Sequence, residues 1–284
     1  IKIFQAIPCI NSKAYKKFKL SEKQIAISCA SHYGEPEHLK VLNDWLIKIK
    51  ISKKILKCGI HNPLNIESSN KLLLKGNRPH QLHNNCAGKH LGMLSGCLMN
   101  KMNLKDYVNF NHPYQKLIRE SLEFFTECKI KNTQVGIDGC SAPQYAFPLN
   151  NISISMVNLI KHFNENHKYS EEVRMLLNAI AKYPHLTGSM IKYDSHLMKI
   201  TKGKMFSKWG AEGVLLFAHK EKKIGGAIKV KDGNERALPS VANEVFKKLS
   251  LLDKNESQEL SIWSHQKLTN HAKIKVGEIY SKIK

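Results

Sequence analysis

Apolar positions along this chain follow two regimes. Up to about residue 200 they recur every three to four residues, and after Gly203 they come in short continuous runs. Glu35-Pro36 opens the clearest helical stretch, with proline in the first turn and Leu39, Leu42, Trp45, Leu46 and Ile49 on one face. Before it, Ser21-Glu22-Lys23-Gln24 carries a capping signal for a short helix through Ala30, broken by Ser31-His32-Tyr33-Gly34. Lys2 to Pro8 reads as the continuation of an element begun before residue 1, and Lys13 to Lys19 as a basic loop. Asn62-Pro63 and Asn77-Arg78-Pro79 bracket another helix. Further helices are predicted over 89–99, from His112-Pro113 through Phe125, over 152–163, and over 170–183, the last capped by Ser170 and stopped by Pro184. The runs 214–218 and 226–230, joined by the charged turn Lys220 to Lys223, signal a β-hairpin. Asp232-Gly233 marks a turn, 239–249 a helix and 274–279 a closing strand. The pattern predicts an α+β protein, mostly helical over about 35–200 and mostly sheet, with one helix, over 204–284.

The 284 residues suffice for a sizeable core, and no apolar run approaches the ~18–20 residues of a membrane span. The net charge of +22 raises the question of a polyanionic partner. Yet the cations are nearly all lysine, spread from Lys2 to Lys284, with arginine only at Arg78, Arg119, Arg174 and Arg236. Base readout relies on bidentate arginine, so the composition argues against a nucleic-acid reader and suits mild attraction of small acidic substrates. Seven scattered cysteines do not form a disulfide framework, which points to a reducing, cytoplasmic setting.

Candidate chemistry gathers in two loops. His83-Asn84-Asn85-Cys86-Ala87-Gly88-Lys89-His90 places a thiol and an amine at i and i+3 on one helix face, and Gly136-Ile137-Asp138-Gly139-Cys140-Ser141-Ala142-Pro143 offers a second thiol. Two thiols and a neutral lysine can hold a soft metal with one open position, although Cys-x2-Lys is not a usual zinc spacing. Both cysteines equally suit the role of small buried apolar residues. Ser31, beside His32, is a candidate nucleophile or a helix-end serine satisfying the backbone. Lys208 in Lys208-Trp209-Gly210 resembles the Lys-x-Gly element of penicillin-recognising enzymes, though the tripeptide is common. Asp138 is placed either to orient a ligand amine or to cap its own turn. His38 falls on the polar side of its helix and earns no role.

Together these two loops, Cys29-Ala30-Ser31-His32-Tyr33-Gly34-Glu35-Pro36-Glu37-His38 and Lys208-Trp209-Gly210-Ala211-Glu212-Gly213 resemble the rhizobial-type L-asparaginases, the class 3 or asparaginase II family, in order and with compatible spacing from residue 1 to about 250. The resemblance implies one catalytic domain over 1–284 with a serine β-lactamase-like fold, an antiparallel sheet flanked by helices plus a helical subdomain. It implies L-asparagine as substrate, a homodimer, and one zinc ion held by Cys86, Lys89, Cys140 and a water. Ser31 with Lys208 would form one catalytic pair, and Asp138, His90 and His32 would contact substrate. Lys2 would serve a first catalytic serine three residues earlier, before Ile1; Lys2-Ile3-Phe4-Gln5-Ala6 stands where the family has Lys-Pro-Phe-Gln-Ala. The chain is therefore expected to be either a fragment lacking its leading strand and that serine, or the inactive product of a decayed gene. A zinc-binding remnant without catalysis and a β-lactamase- or peptidase-like hydrolase are the rival readings.

Overall fold

The computed structural model describes residues 1–283. In chain order the helices are α1 (Lys2–Asn11), α2 (Ala14–Lys17), α3 (Glu22–Ile27), α4 (Pro36–Ile49), α5 (Ile66–Leu74), α6 (Ala87–Met99), α7 (Pro113–Thr126), α8 (Leu149–Asn164), α9 (Ser170–Lys182), α10 (Tyr193–Ile200), α11 (Leu238–Lys248), α12 (Lys254–Glu259) and α13 (Ser261–Ser264). The strands are β1 (Val135–Ile137), β2 (Pro143–Tyr145), β3 (Met205–Gly210), β4 (Val214–His219), β5 (Ile224–Lys229), β6 (His265–Thr269) and β7 (Lys275–Tyr280). The predicted α+β class holds, with small antiparallel sheets. The chain divides into two compact units: 1–148 with 162–189, and 149–161 with 190–284. No helix among the described residues is long and apolar enough to cross a membrane.

In the first unit α1 is central, buried from Ile3 to Ile10 and packed against α6, α7 and α9. Pro8 lies inside this helix, so the carbonyl of Phe4 has no intrahelical N–H to accept from. Ser121 on α7 supplies the missing donor, its hydroxyl 2.9 Å from Phe4 O, while Phe4 and Phe125 stack at 4.7 Å. Helix α6 approaches its neighbours closely through two glycines. A Cβ on Gly96 would stand 2.2 Å from the Tyr114 ring, and one on Gly88 2.1 Å from the Ile27 carbonyl oxygen of α3.

Local capping chemistry sets the boundaries. Ser21 and Gln24 form the expected capping box on α3, which ends at Ile27, and prolines open α4 and α7 at Pro36 and Pro113. Two expectations shift. Within 13–19 the buried Ala14 anchors the short helix α2, and Ser170 is the first residue of α9 rather than its cap, Tyr169 taking that place with φ 69°.

The second unit holds the antiparallel sheet β3-β4-β5. The predicted hairpin is β4–β5, its register running from Val214↔Lys229 to His219↔Ile224. Strand β3, paired from Met205↔His219 to Gly210↔Val214, was not predicted as a strand. Leu215, Phe217, Leu238 and Phe246 build the core beneath the sheet. The closing strand forms as β7 but pairs with β6 in a separate hairpin. Both strands are largely solvent-exposed and bring no apolar face for the main sheet to bury.

Candidate active site

The first thiol loop is held by its asparagines. Asn84 Oδ1 accepts from the Cys86 N–H at 2.9 Å, and its Nδ2 donates to the Cys58 carbonyl at 2.6 Å. Asn85 N–H donates to His61 Nε2 at 2.9 Å, and its carbonyl accepts the His32 N–H at 3.1 Å. Cys86 is thereby fixed as the N-cap of α6, where the helix dipole favours a thiolate, and Lys89 follows one turn later.

The second loop is the turn of the β1–β2 hairpin. Asp138 N–H donates to Ala142 O and Ser141 N–H to Asp138 O, both at 2.8 Å, with Ser141 in the left-handed region at φ 68°. This tight turn presents Asp138 and Cys140 towards α6. Asp138 Oδ2 accepts from Lys89 Nζ at 3.0 Å and from the Cys140 thiol at 3.3 Å. The ligand atoms of Cys86, Asp138 and Cys140 all lie within 4.8 Å of one another, and the three residues could hold one metal ion. Two sulfurs, a carboxylate and an adjacent amine form a donor set suited to a soft or borderline metal. The two thiol loops therefore meet, and the third member of the cluster that could hold a metal is Asp138, with Lys89 hydrogen-bonded to it. The seven cysteines form no disulfide.

Burial and charge polarise the cluster. Interaction with the neighbouring Cys140, with Lys2 and Lys89 nearby, pulls Cys86 down to about 4 against the effect of burial. That same contact, with burial, drives Cys140 up. Burial opposes charge on Lys89 and Asp138, but Cys86, Cys140 and Asp138 hold the lysine above its ordinary value, and Lys89 holds the carboxyl below its own.

Beside this cluster stands Ser31. Its N–H donates to Thr187 O at 2.9 Å, and its hydroxyl lies 2.7 Å from Lys2 Nζ. The same amine reaches Ala30 O at 2.6 Å and Cys86 Sγ at 3.2 Å. Lys208, named from the sequence as the partner of Ser31, lies on β3 in the second unit; its Nζ is 3.5 Å from Asp194 Oδ2 and 3.2 Å from Trp209 O.

Among the histidines, His32 is fully buried. Its Nδ1 accepts from Gly34 N–H at 3.1 Å, so a neutral ring carries its proton on Nε2, which has no hydrogen-bond partner. His90 is oriented by Tyr107, whose hydroxyl lies 2.6 Å from Nδ1 and accepts from Lys57 N–H. His38, given no role from its helical position, is buried against His32, with ring centroids 5.2 Å apart and Nε2 3.1 Å from His185 O. Thr187 and Tyr107 contribute to the site from positions where no local signal marks them.

A model of the L-asparaginase II family matches residues 1–281. The chain belongs to that family. Among curated proteins none matches the chain. Membership of the L-asparaginase II family supports asparaginase-type amidohydrolase activity, hydrolysis of an amide C–N bond in a small-molecule substrate.

In this family member the buried histidines also set an acid limit. Burial first, then the neighbouring His38 and Lys2 charges, pushes His32 well below its ordinary value; burial likewise lowers His38. Both rings accept from backbone N–H groups, at Gly34 and Glu35, which only neutral imidazoles can do. The unfolded chain protonates them near pH 6.5 and the fold does not, so stability is complete above about 6.5 and falls as the pH drops below it. Each ring should cost up to about 1.4 kcal/mol per pH unit in that range. Urea unfolding in the presence of chelator should show a clearly lower midpoint at pH 5 than at pH 7.5, and equal midpoints would contradict the assignment.

Proposed function

We propose that the protein is an L-asparagine amidohydrolase, converting L-asparagine and water to L-aspartate and ammonia, with one zinc ion held by Cys86, Lys89, Cys140 and a water. The observation that carries this reading is the meeting of the two thiol loops beside the Ser31–Lys2 pair. Zinc bonds sulfur at about 2.3 Å, and the spacing of Cys86 and Cys140, within 4.8 Å, is compatible with both sulfurs reaching one ion. Ligation by Lys89 requires its neutral form, which a bound cation favours by displacing the proton. Asp138, now hydrogen-bonded to Lys89, then faces the substrate amine. Bound zinc would supply a Lewis-acid anchor that orients the substrate.

The residues of the chain support proton transfer to an amine. Lys2 Nζ donates towards Ala30 O, the Ser31 hydroxyl oxygen and Cys86 Sγ, contacts that hold the amine beside a serine hydroxyl. In this reading a serine is the nucleophile, Lys2 is its base and Ser31 takes part in the proton relay. The serine oxygen bonds to the side-chain carboxamide carbon, the C–N bond breaks, and the serine proton leaves with ammonia. Water then cleaves the aspartyl ester and restores the hydroxyl. The unpartnered Nε2–H of His32 and the Tyr107-oriented His90 line the substrate's surroundings. Lys208, a serine β-lactamase-like scaffold, a homodimer and a cytoplasmic location belong to the reading through the resemblance alone.

Calorimetry of L-aspartate on zinc-loaded protein, run beside ammonia release from L-asparagine, tests it. Saturable, zinc-dependent binding is expected. Failure of both amino acids to bind, or turnover of a chromogenic β-lactam instead, would contradict the reading.

A further inference from the structure

Of the groups that surround the cluster, Lys2 is set apart by what it joins. Its amine touches the Ser31 hydroxyl at 2.7 Å and the Cys86 sulfur at 3.2 Å, and Ala30 O at 2.6 Å fixes its direction. These contacts reach two separate segments, the turn that follows α3 and the N-cap of α6. These segments are themselves tied by the His32 N–H to Asn85 O bond and by the Gly88–Ile27 contact.

We infer that Lys2 is a positioning residue for the metal centre: an outer partner that donates an N–H to the Cys86 sulfur and so orients it for the metal. This rests on the zinc reading above and adds a residue to it. A buried thiolate needs hydrogen-bond donors to carry its charge, and Cys86 is only 5% exposed. Both protonation states of a lysine amine can present an N–H to sulfur, so the contact does not depend on whether Lys2 has accepted a proton. Groups that hydrogen-bond a ligand in this way set its orientation and the electron density it offers.

The test measures metal and not turnover. Zinc affinity is determined by competition with a chromophoric chelator, and the sulfur-to-cobalt charge-transfer band is recorded after cobalt substitution, for wild type, Lys2→Met, Lys2→Arg and Ser31→Ala. Lys2→Met keeps the length of the side chain and removes the donor; it should weaken zinc by about 10-fold or more and shift the band. Lys2→Arg keeps a donor and should stay close to wild type. Ser31→Ala removes the other partner and should leave affinity unchanged. Should Lys2→Met fail to fold, Lys2→Gln, too short to reach the sulfur in the same geometry, should show the same loss. Unchanged affinity and an unchanged band in a folded Lys2→Met or Lys2→Gln variant overturn the inference, as does equal weakening by Ser31→Ala. A wild-type protein that takes up no zinc would defeat the zinc reading itself, a result distinct from either of these.

Discussion

Cys86→Ala is expected to abolish stoichiometric zinc. The sulfur is one of two thiols at the cluster, and the loss should exceed the ~10–100-fold that follows removal of an outer partner. Metal binding adds to stability by mass action, so the wild type should gain in melting temperature with added zinc and the variant should not. Cys58 provides the control. Its thiol points at Gly59 O and Gln81 O, both at 3.6 Å, and burial pushes it up to about 12, the behaviour of an inert buried cysteine. Cys58→Ala should therefore retain its zinc. Elemental analysis after gel filtration reads both variants, and full zinc in Cys86→Ala or equal loss in the two would contradict the ligand assignment.

The second large effect is expected at Gly88. Its absent Cβ would meet the backbone oxygen of Ile27 at 2.1 Å and the carbonyl carbon at 2.8 Å. No side-chain rotation relieves a clash with backbone, so Gly88→Ala must push α6 away from α3. Overpacking of this kind costs about 1–3 kcal/mol and sometimes more. The displacement also carries Cys86 and Lys89 away from Ser31, so zinc affinity should fall together with stability. Gly136 in β1 has nothing within 4 Å of its Cβ position, and Gly136→Ala should change stability by no more than about 0.5 kcal/mol. Denaturant midpoints compare the two. A Gly88→Ala protein as stable as Gly136→Ala would show that this approach is not as close as described.

What could be read from the sequence follows the range of the physics. Helix starts were legible at Ser21, Pro36 and Pro113, because caps and first-turn prolines act within three residues. The Cys86–Lys89 pair was legible for the same reason, an i, i+3 spacing on one helix. Strand β3 was not, since Met-Phe-Ser-Lys is buried on both faces and shows no alternation. His38 sits between Glu37 and Lys40 and reads as polar surface, but packing by His32 and His185 covers it. The partner that the structure gives Ser31, the amine of Lys2, lies 29 residues away, and no periodicity reports a contact of that kind. Likewise the meeting of Cys86 with Cys140 is tertiary, made by a helix N-terminus and a hairpin turn. Thiol, amine and turn chemistry brought both loops into view, and their geometry came only with the fold.

Zinc K-edge X-ray absorption on the loaded protein tests the central claim most directly. The account predicts two sulfur neighbours at about 2.3 Å and two nitrogen or oxygen neighbours at about 2.0–2.1 Å, one of them the Lys89 amine. A first shell of nitrogen and oxygen alone, or one with a single sulfur, would contradict it.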